Sequence, residues 1–301
     1  MSHFPMQQSK TKRFFKRIER FIVSCKQYVI VRHLLFSGGK EVIANYKHSS
    51  LENSEQITDV SPIWVCWWQG RDSMPDIVKA CYNSILMHAG NHPVILITGD
   101  NYHEYVTLPD CILQKWKAGN ITLTHLSDIL RMLLLKAHGG IWMDSTVLLP
   151  CKNIGDFIKP SRIFWSCHHL PIYYNISRGG WTGFFLACGK GNLLPAFISD
   201  MFLKYWQNHN KLIEYLLIDY TFAIARANVP AIHQMIEEVP ITVMGPLGKC
   251  LNQEYTEERW TEFCSNYDFH KLTYKIPLSL KTPEGKKTFY CLLYTSDAAD
   301  E

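Results

Sequence analysis

The sequence predicts an α/β fold in which a mostly parallel, Rossmann-like sheet is flanked by helices. Two short apolar runs with the length of buried strands, 63–68 and 93–98, enclose a segment that predicts a helix, 75–87. Strands that alternate with helices in this way form parallel sheets with crossover helices. The chain has 301 residues, of which 47% are hydrophobic, so we expect one large domain over 60–290 with an added N-terminal segment.

The N-terminal segment, 1–48, predicts a basic amphipathic helix. Residues 1–40 contain nine Lys and Arg residues and one acidic residue, so this part carries +8 and the rest of the chain −4. Apolar residues recur at three- and four-residue spacing from Phe14 to Val29, which is helical periodicity. No apolar run approaches the roughly 20 residues that span a bilayer. Two interpretations stay open, a helix at an anionic membrane surface and a helix docked on its own domain, whereas nucleic-acid binding is disfavoured because no reader motif is present.

The ten cysteines are scattered, without a CxxC pair or a repeated metal-ligand spacing. Because the N-terminus shows no secretory signal, we expect reduced thiols, most of them in the core. The expected location is cytoplasmic, with peripheral association at the inner face of the cytoplasmic membrane left open.

Polar residues follow the first two predicted strands. Gln69 comes directly after the run 63–68, and Asp100 and Asn101 come after the run 93–98. Ligands of open parallel sheets bind at the carboxyl ends of the strands. These three side chains are therefore expected near one crevice.

The stretch 124–149 carries the strongest functional pattern. Its first part predicts a helix that is apolar over most of its surface, with Asp128 and Arg131 one turn apart. Gly139 and Gly140 end this helix, and a short strand then brings Asp144 to the crevice. Because charges on a buried helix need partners or a polar cavity, Asp128 and Arg131 form either an internal ion pair or the wall of a binding site.

The residues from Ser127 to Val147, SDILRMLLLKAHGGIWMDSTV, resemble the signature of sugar-nucleotide glycosyltransferases with a DXD-type motif. The resemblance is closest to the capsular polysaccharide synthesis family, which has SD-hydrophobic-LR followed by GG-hydrophobic-W-hydrophobic-D-x-T. Further matching patches are WxxWWQG at 64–70, DNY at 100–102, LIDY at 217–220 and, more weakly, HKLTYK at 270–275. The resemblance covers 63–276.

This resemblance implies a GT-A type fold with a nucleotide-binding half and an acceptor-binding half. It also implies that Trp64 or Trp67 lines the base pocket, that Asp128 and Arg131 bind the donor sugar, and that Asp144 organises the ribose, metal and diphosphate. Asp128, Arg131 and Asp144 are the predicted catalytic residues. The other predicted donor-binding residues are Gln69, Asp100, Asn101, Gly140, Ser145, Thr146, Asp219, His270, Lys271 and Lys275.

A divalent metal ion, Mn²⁺ or Mg²⁺, is the expected cofactor, because carboxylate and phosphate oxygens bind such ions at the departing diphosphate. The sequence departs from the DXD pattern at Thr146, which is a weaker ligand than a carboxylate. Asp144 is therefore the predicted metal ligand, with Asp219 as a candidate helper. His270, Lys271 and Lys275 could neutralise the diphosphate in place of a metal or beside it.

Simpler interpretations stand beside these. Asp144 could be a turn residue, Asp219 a helix-surface or capping residue, and the tryptophans of 63–68 core residues. Tyr173, Tyr174 and Trp181 suit packing against acceptor sugars or in the core. The remaining predicted strands are 162–167, 181–187 and 272–276, the remaining predicted helices are 193–208, 215–227 and 254–267, and 294–301 is predicted to be a non-native tail.

The sequence thus predicts a hexosyltransferase that moves a sugar from a nucleoside-diphosphate sugar, with UDP as the favoured nucleotide, onto a glycan or lipid-linked acceptor. The resemblance places this step in bacterial capsule or lipopolysaccharide synthesis and favours retention of the anomeric configuration. The alternative is a catalytically degenerate subunit of the same fold that binds or scaffolds in polysaccharide assembly.

Overall fold

The computed structural model describes residues 10–168, 174–242 and 244–297. The strands in these residues are β1 (Ile63–Cys66), β2 (Val94–Ile97), β3 (Gly140–Asp144), β4 (Val147–Leu148), β5 (Phe164–Ser166), β6 (Phe185–Cys188), β7 (Met244–Gly245) and β8 (Phe269–Lys271). The helices there are α1 (Lys10–Leu34), α2 (Lys40–Tyr46), α3 (Asp76–His88), α4 (Asp110–Lys117), α5 (Leu123–His138), α6 (Ile154–Phe157), α7 (Leu193–Asn208), α8 (Leu217–Asn228), α9 (Pro230–Glu237), α10 (Glu257–Asn266) and α11 (Phe289–Asp297).

A mixed five-stranded sheet, in the order β2-β1-β3-β6-β5, lies at the centre of this α/β fold. β1 is parallel to both β2 and β3, whereas β6 is antiparallel to β3 and β5 is antiparallel to β6. Parallel neighbours need a crossover, which α3 and α5 supply, while β5 and β6 follow one another in sequence and pair directly. The predicted parallel character therefore describes the first three strands and not the whole sheet. In the parallel half, Cys66 and Asp144 end side by side.

A second sheet, in the order β4-β8-β7, begins three residues after Asp144. Its β4 and β8 are antiparallel, with Val147 opposite Lys271, and the backbone N–H of Leu272 donates to the Thr146 carbonyl at 2.8 Å. The late strand therefore lies at Phe269–Lys271, earlier than the predicted 272–276, because β4 provides its pairing partner there. This register places Lys271 beside the end of β3.

The helix α5 holds the first part of the signature against the central sheet. Its N-cap is Thr122, whose side chain accepts from the His125 N–H, and its C-cap is Gly139 at φ 67°. Leu126, Leu130 and Leu134 are fully buried between α7 and the sheet. Ile129, Met132 and Leu135 on other sides of the helix are buried as well, so α5 is buried over most of its surface together with its charged residues Asp128 and Arg131.

The N-terminal helix α1 contacts the domain mainly through its last turns, where Ile30 and Leu34 are buried. Further toward the N-terminus, large apolar side chains are exposed: Phe14, Phe15, Phe21, Ile22 and Val29. Within the described residues no helix has the length and apolar character needed to cross a bilayer. At the other end of the chain, α11 extends the fold to Asp297, into the segment predicted as a tail.

The expectation of reduced thiols is wrong for two cysteines. Cys151, which follows β4, and Cys264 on α10 form a disulfide, with their Cα atoms 5.4 Å apart across 113 residues of sequence. The spacing along the sequence gave no sign of this pair, because the second sheet brings the two segments together. Most of the other cysteines, including Cys81 and Cys188, are buried as predicted for core residues.

Candidate active site

A cleft of about 660 Å³ opens where β1 and β3 end and the second sheet begins. Side chains from α5, the β3–β4 turn, the start of α8 and the segment after β8 form its walls. Among the predicted site residues, those that line it are Trp67, Gln69, Asp128, Arg131, Asp144, Ser145, Thr146, Asp219, Lys271 and Lys275. The fold thus brings together residues that are up to 208 positions apart, from Trp67 to Lys275, in one cavity.

The carboxylate of Asp144 is the centre of the polar network in this cleft. Its Oδ1 accepts from Arg131 Nη2 at 3.0 Å and from the indole Nε1 of Trp142 at 2.9 Å. Its Oδ2 accepts from Lys271 Nζ at 2.8 Å, and the same ammonium donates to Thr146 Oγ1 at 2.7 Å. Groups from α5, from β3 itself and from β8 therefore donate hydrogen bonds to Asp144. A residue that only formed a turn would not need this number of donors.

These contacts determine the charge state of Asp144. Burial alone would raise its pKa, but the charges of Lys271 and Arg131, with the hydrogen bonds from Lys271 and Trp142, outweigh burial and lower the pKa below its ordinary value. The carboxylate is ionised at neutral pH. Arg131 and Lys271 thus both contact this carboxylate, one on each of its oxygens.

Arg131 and Asp128 extend the network along α5. Arg131 Nη1 lies 3.0 Å from Asp128 Oδ1, and the guanidinium stacks over the ring of Trp142, 4.8 Å from its centroid. The Nε of Arg131 has no hydrogen-bond partner among the described residues. The internal ion pair and the wall of a binding site were alternatives at the sequence level, and the structure shows that the two residues form an ion pair that also lines the cleft.

His125 lies behind Asp128. Its Nε2 accepts from the Trp206 indole Nε1 at 3.0 Å, so the proton of the neutral ring lies on Nδ1. That Nδ1 lies 3.5 Å from Asp128 Oδ2. Asp128 is therefore positioned on one oxygen by Arg131 and faces the imidazole with the other.

Asp219 is a second buried carboxyl group in the cleft. Trp181 Nε1 donates to its Oδ1 at 3.0 Å and Asn175 Nδ2 donates to its Oδ2 at 3.3 Å. Burial raises the pKa of Asp219 to about 6, against the lowering effect of these two hydrogen bonds, and the neighbouring Asp128 adds to the rise. Asp219 is neither a surface nor a capping residue, since its side chain points inward from the first turn of α8.

Five predicted site residues lie outside the cleft: Trp64, Asp100, Asn101, Gly140 and His270. Trp64 is buried in the core, where its Nε1 donates to the Gly139 carbonyl at 2.9 Å, so Trp67 is the tryptophan of that pair that reaches the cleft. Asp100 is exposed, and Asn101 braces its own turn by accepting from the Thr98 N–H and donating to the Leu96 carbonyl.

Gly140 also lies outside the cleft, and its role is in the conformation of the backbone. Its φ is 102°, and an added Cβ would lie 2.4 Å from the Pro62 carbonyl oxygen. The position therefore requires glycine, because the backbone passes from α5 into β3 close to the segment that precedes β1.

His270 faces away from the cleft and cannot supply a cation. Side chains alternate along β8, so Lys271 points into the cleft and His270 points into the protein, where its Nδ1 accepts from the Leu247 N–H at 3.2 Å. Burial lowers the pKa of His270 to about 4, which makes the ring neutral at physiological pH. The sequence did not predict that His270 faces away from the cleft. A position in the sequence shows neither the register of a strand nor the side of the sheet that a side chain faces.

Other cleft residues were not predicted as donor-binding residues. Trp142 and Asn175 act through their hydrogen bonds to the two carboxylates, and Ser127 and Tyr274 complete the walls. Trp142 carried a signal, because it lies two residues before Asp144 and therefore on the same face of β3. Of the predicted acceptor-side aromatics, Trp181 lines the cleft, Tyr174 is exposed, and Tyr173 lies outside the described residues.

The side chains around Asp144 do not suit a divalent metal ion. Within the described residues no group of three or more His, Cys, Asp or Glu side chains could hold one. Both oxygens of Asp144 already accept from protein donors, and the ammonium of Lys271 bridges Asp144 and Thr146, the first and third positions of the motif. A metal ion on Asp144 Oδ2 would lie beside the Lys271 ammonium, and like charges a few ångströms apart repel. The metal requirement stays a prediction, and this donor set argues against it.

A family model described as "Capsular polysaccharide synthesis protein" matches residues 10–292 of the sequence. The chain belongs to this family. The signature that carried the resemblance to this family contributes Ser127, Asp128, Arg131 and the residues 144–146 to the cleft. No curated protein matches the chain.

The chain is also similar to two solved structures whose titles name glycosyltransferases. For "PaToxG Glycosyltransferase" the identity is 15% and the TM-score 0.42, over 80% of this chain and 94% of that chain. For the "WbbM bifunctional glycosytransferase apo structure" the identity is 10% and the TM-score 0.44, over 84% of this chain and 51% of that one. Both likenesses are distant, so the residues of the site are assigned from this family member's own geometry.

The raised pKa of Asp219 predicts an unusual stability profile. An acid whose pKa is higher in the folded state binds its proton more tightly there, so the free energy of unfolding falls as pH rises from about 4 to about 6 and then levels off. Asp219→Asn removes this ionisation. Thermal or urea melts should show the variant gaining about 2 kcal/mol relative to wild type between about pH 4.5 and about pH 7.5. A difference between the two proteins that does not change with pH would contradict this reading of Asp219, and Asp100→Asn, an exposed site, controls for the loss of a charge.

Proposed function

We propose that this protein transfers a sugar from a nucleoside-diphosphate sugar, with UDP as the favoured nucleotide, onto a glycan or lipid-linked acceptor during bacterial surface polysaccharide synthesis. The fold proposed for it is the GT-A type. One observation carries the proposal: Asp128, Arg131, Asp144 and Lys271 converge at the carboxyl ends of parallel strands, in a cleft large enough for a nucleotide sugar.

The cleft offers the two kinds of contact that such a donor needs. Trp67 and Tyr274 lie edge to face on one wall, with ring centroids 5.5 Å apart, and aromatic side chains of this kind pack against nucleobases. Lys271 and Lys275 lie on the same side and suit the diphosphate. Asp128 and Asp219, deeper in the cleft, suit the hydroxyl groups of the sugar, since ionised carboxylates accept hydrogen bonds.

The proposed step breaks the bond between the anomeric carbon and the β-phosphate oxygen, and the electron pair of that bond passes to the phosphate. The acceptor hydroxyl oxygen forms the new bond to the anomeric carbon, and its proton passes to the departing diphosphate, which gives retention of configuration. Negative charge develops on the leaving oxygen and positive charge at the anomeric carbon. Lys271 and Arg131 would stabilise the negative charge on the leaving oxygen. Asp128 and Asp219 would stabilise the positive charge at the anomeric carbon.

A turnover assay tests this function. A panel of UDP- and GDP-sugars is incubated with the full chain and nucleotide release is followed, with and without Mn²⁺. Asp128→Asn removes a negative charge, and Arg131→Lys removes the planar, forked set of N–H donors of the guanidinium. Each variant should lower the rate about 100-fold, because these features are needed in the transition state. Asp100→Asn, outside the cleft, should match wild type. If wild type releases nucleotide from none of the donors, the enzyme hypothesis fails and the degenerate binding subunit takes its place.

We also propose that α1 binds the surface of an anionic membrane. Its exposed apolar side chains, Phe21 at 69% and Ile22 at 60% exposure among them, lie on a helix that also carries Lys16, Arg17 and Arg20. A helix with this composition lies in the interface, with its apolar residues in the acyl boundary and its cations near lipid headgroups.

The position of α1 relative to the cleft fits an acceptor presented by the membrane. Glu19 on α1 accepts a hydrogen bond from Tyr174, and Lys26 lies 2.6 Å from Glu214. The residues directly after these partners, Asn175 and Tyr215, line the cleft. A membrane-bound α1 would therefore hold the mouth of the cleft near lipid-linked saccharides.

Vesicle sedimentation tests the membrane proposal. The double variant Phe21→Glu, Ile22→Glu should bind vesicles of phosphatidylcholine and phosphatidylglycerol at least tenfold more weakly than wild type, since two large apolar contacts are lost and two negative charges are added. Ile241→Glu adds one negative charge outside α1, at an apolar side chain that is 82% exposed, and should bind as wild type does. Equal vesicle binding by the double variant and wild type would rule out α1 as the membrane contact.

A further inference from the structure

Lys271 lies between Asp144 and Thr146, the first and third positions of the DXD-type motif. The ammonium donates to Asp144 Oδ2 at 2.8 Å and to Thr146 Oγ1 at 2.7 Å, so it contacts the first and third residues of the motif at once. It also lies 4.9 Å from the centroid of the Phe184 ring. On the basis of the donor site proposed above, we propose that Lys271 is the cation that binds the donor's diphosphate, and that this protein binds nucleotide sugars without a divalent metal.

Strand pairing fixes the backbone of Lys271 beside the motif. β8 pairs with β4 so that Lys271 lies opposite Val147, and the next backbone N–H, that of Leu272, bonds to Thr146. The two ends of the motif and the lysine are thus fixed by one strand pairing. The motif's Thr146 fits this arrangement, because a hydroxyl accepts a hydrogen bond from an ammonium without adding a second negative charge.

The chemistry of an ammonium group fits the task. A lysine ammonium has three N–H donors, of which two point at Asp144 and Thr146, so the third remains for an oxygen of the diphosphate. Arg131 holds the other oxygen of Asp144, which keeps the carboxylate ionised and the lysine in place. Lys275 adds a second cation at the cleft wall. A nucleoside diphosphate would then meet fixed positive charge where other enzymes present a metal.

Calorimetric titration of UDP and GDP into the full chain tests the inference, first in EDTA and then in Mn²⁺. We expect wild type to bind the tighter of the two nucleotides with affinities that agree within about twofold in the two buffers. Lys271→Met should weaken that binding about ten- to a hundredfold in EDTA, the range for a lost hydrogen bond to a charged group, while Lys271→Arg, which keeps the charge, should recover part of it. Lys281→Met, an exposed lysine outside the cleft, is the matched control and should bind as wild type does.

The outcomes separate this inference from the proposed function. Nucleotide binding by wild type that appears only with Mn²⁺ overturns the metal-free site and leaves the glycosyltransferase proposal standing. Binding that is metal-independent and unchanged in Lys271→Met overturns the role of this lysine. No binding of either nucleotide in any buffer overturns both proposals. The wild-type comparison of the two buffers needs no variant, so it decides the metal question even if Lys271→Met folds poorly.

Discussion

The ionised carboxylate of Asp144 is the constraint that joins the parts of this protein. It ends β3, the middle strand of the central sheet, and it binds Arg131 from α5 and Lys271 from β8. A half-buried charge of this kind is stable only when it is paired and hydrogen-bonded, so the helix, the central sheet and the second sheet must meet at one place. That meeting place is the cleft, and the groups that satisfy Asp144 are the groups that face a ligand.

Asp144 and Asp219, two carboxyl groups of the cleft, have pKa values shifted in opposite directions because their surroundings differ. Asp144 lies between two cations, and its pKa is lowered. Burial raises the pKa of Asp219 to about 6, the neighbouring Asp128 adds to the rise, and the hydrogen bonds from two neutral donors only partly oppose it. Groups whose pKa values are pushed apart in this way are typical of catalytic sites. The stability cost of a buried Asp219 carboxylate is consistent with a residue kept for function.

Much of the site could be predicted from the sequence. The parts that could not be predicted depend on strand register and on the face of the strand that each side chain occupies. The apolar periodicity of α5, the double glycine and the strand that ends at Asp144 specify local structure, and they gave the positions of Asp128, Arg131 and Asp144. Trp64 and His270 were beyond such reasoning, since a strand pattern shows that side chains alternate but not which face meets a cavity.

The limits of sequence reasoning are clearest in the second sheet. Lys271 was one of three candidate cations in a weak patch, and only the pairing of β8 with β4 shows that it contacts the motif. The disulfide between Cys151 and Cys264 depends on the same tertiary arrangement. The antiparallel strands β5 and β6 were predicted as strands, but their direction is a property of the chain path and not of composition.

The central claim is that a lysine, and not a metal ion, lies between the motif and the donor's diphosphate. A crystal structure with UDP, grown in Mn²⁺ and measured at the manganese absorption edge, tests it most directly. The account predicts a diphosphate oxygen in hydrogen-bond contact with Lys271 Nζ, the uracil beside Trp67, and no anomalous peak between Asp144 and the diphosphate. A manganese peak there, with Lys271 displaced from Asp144, would contradict it.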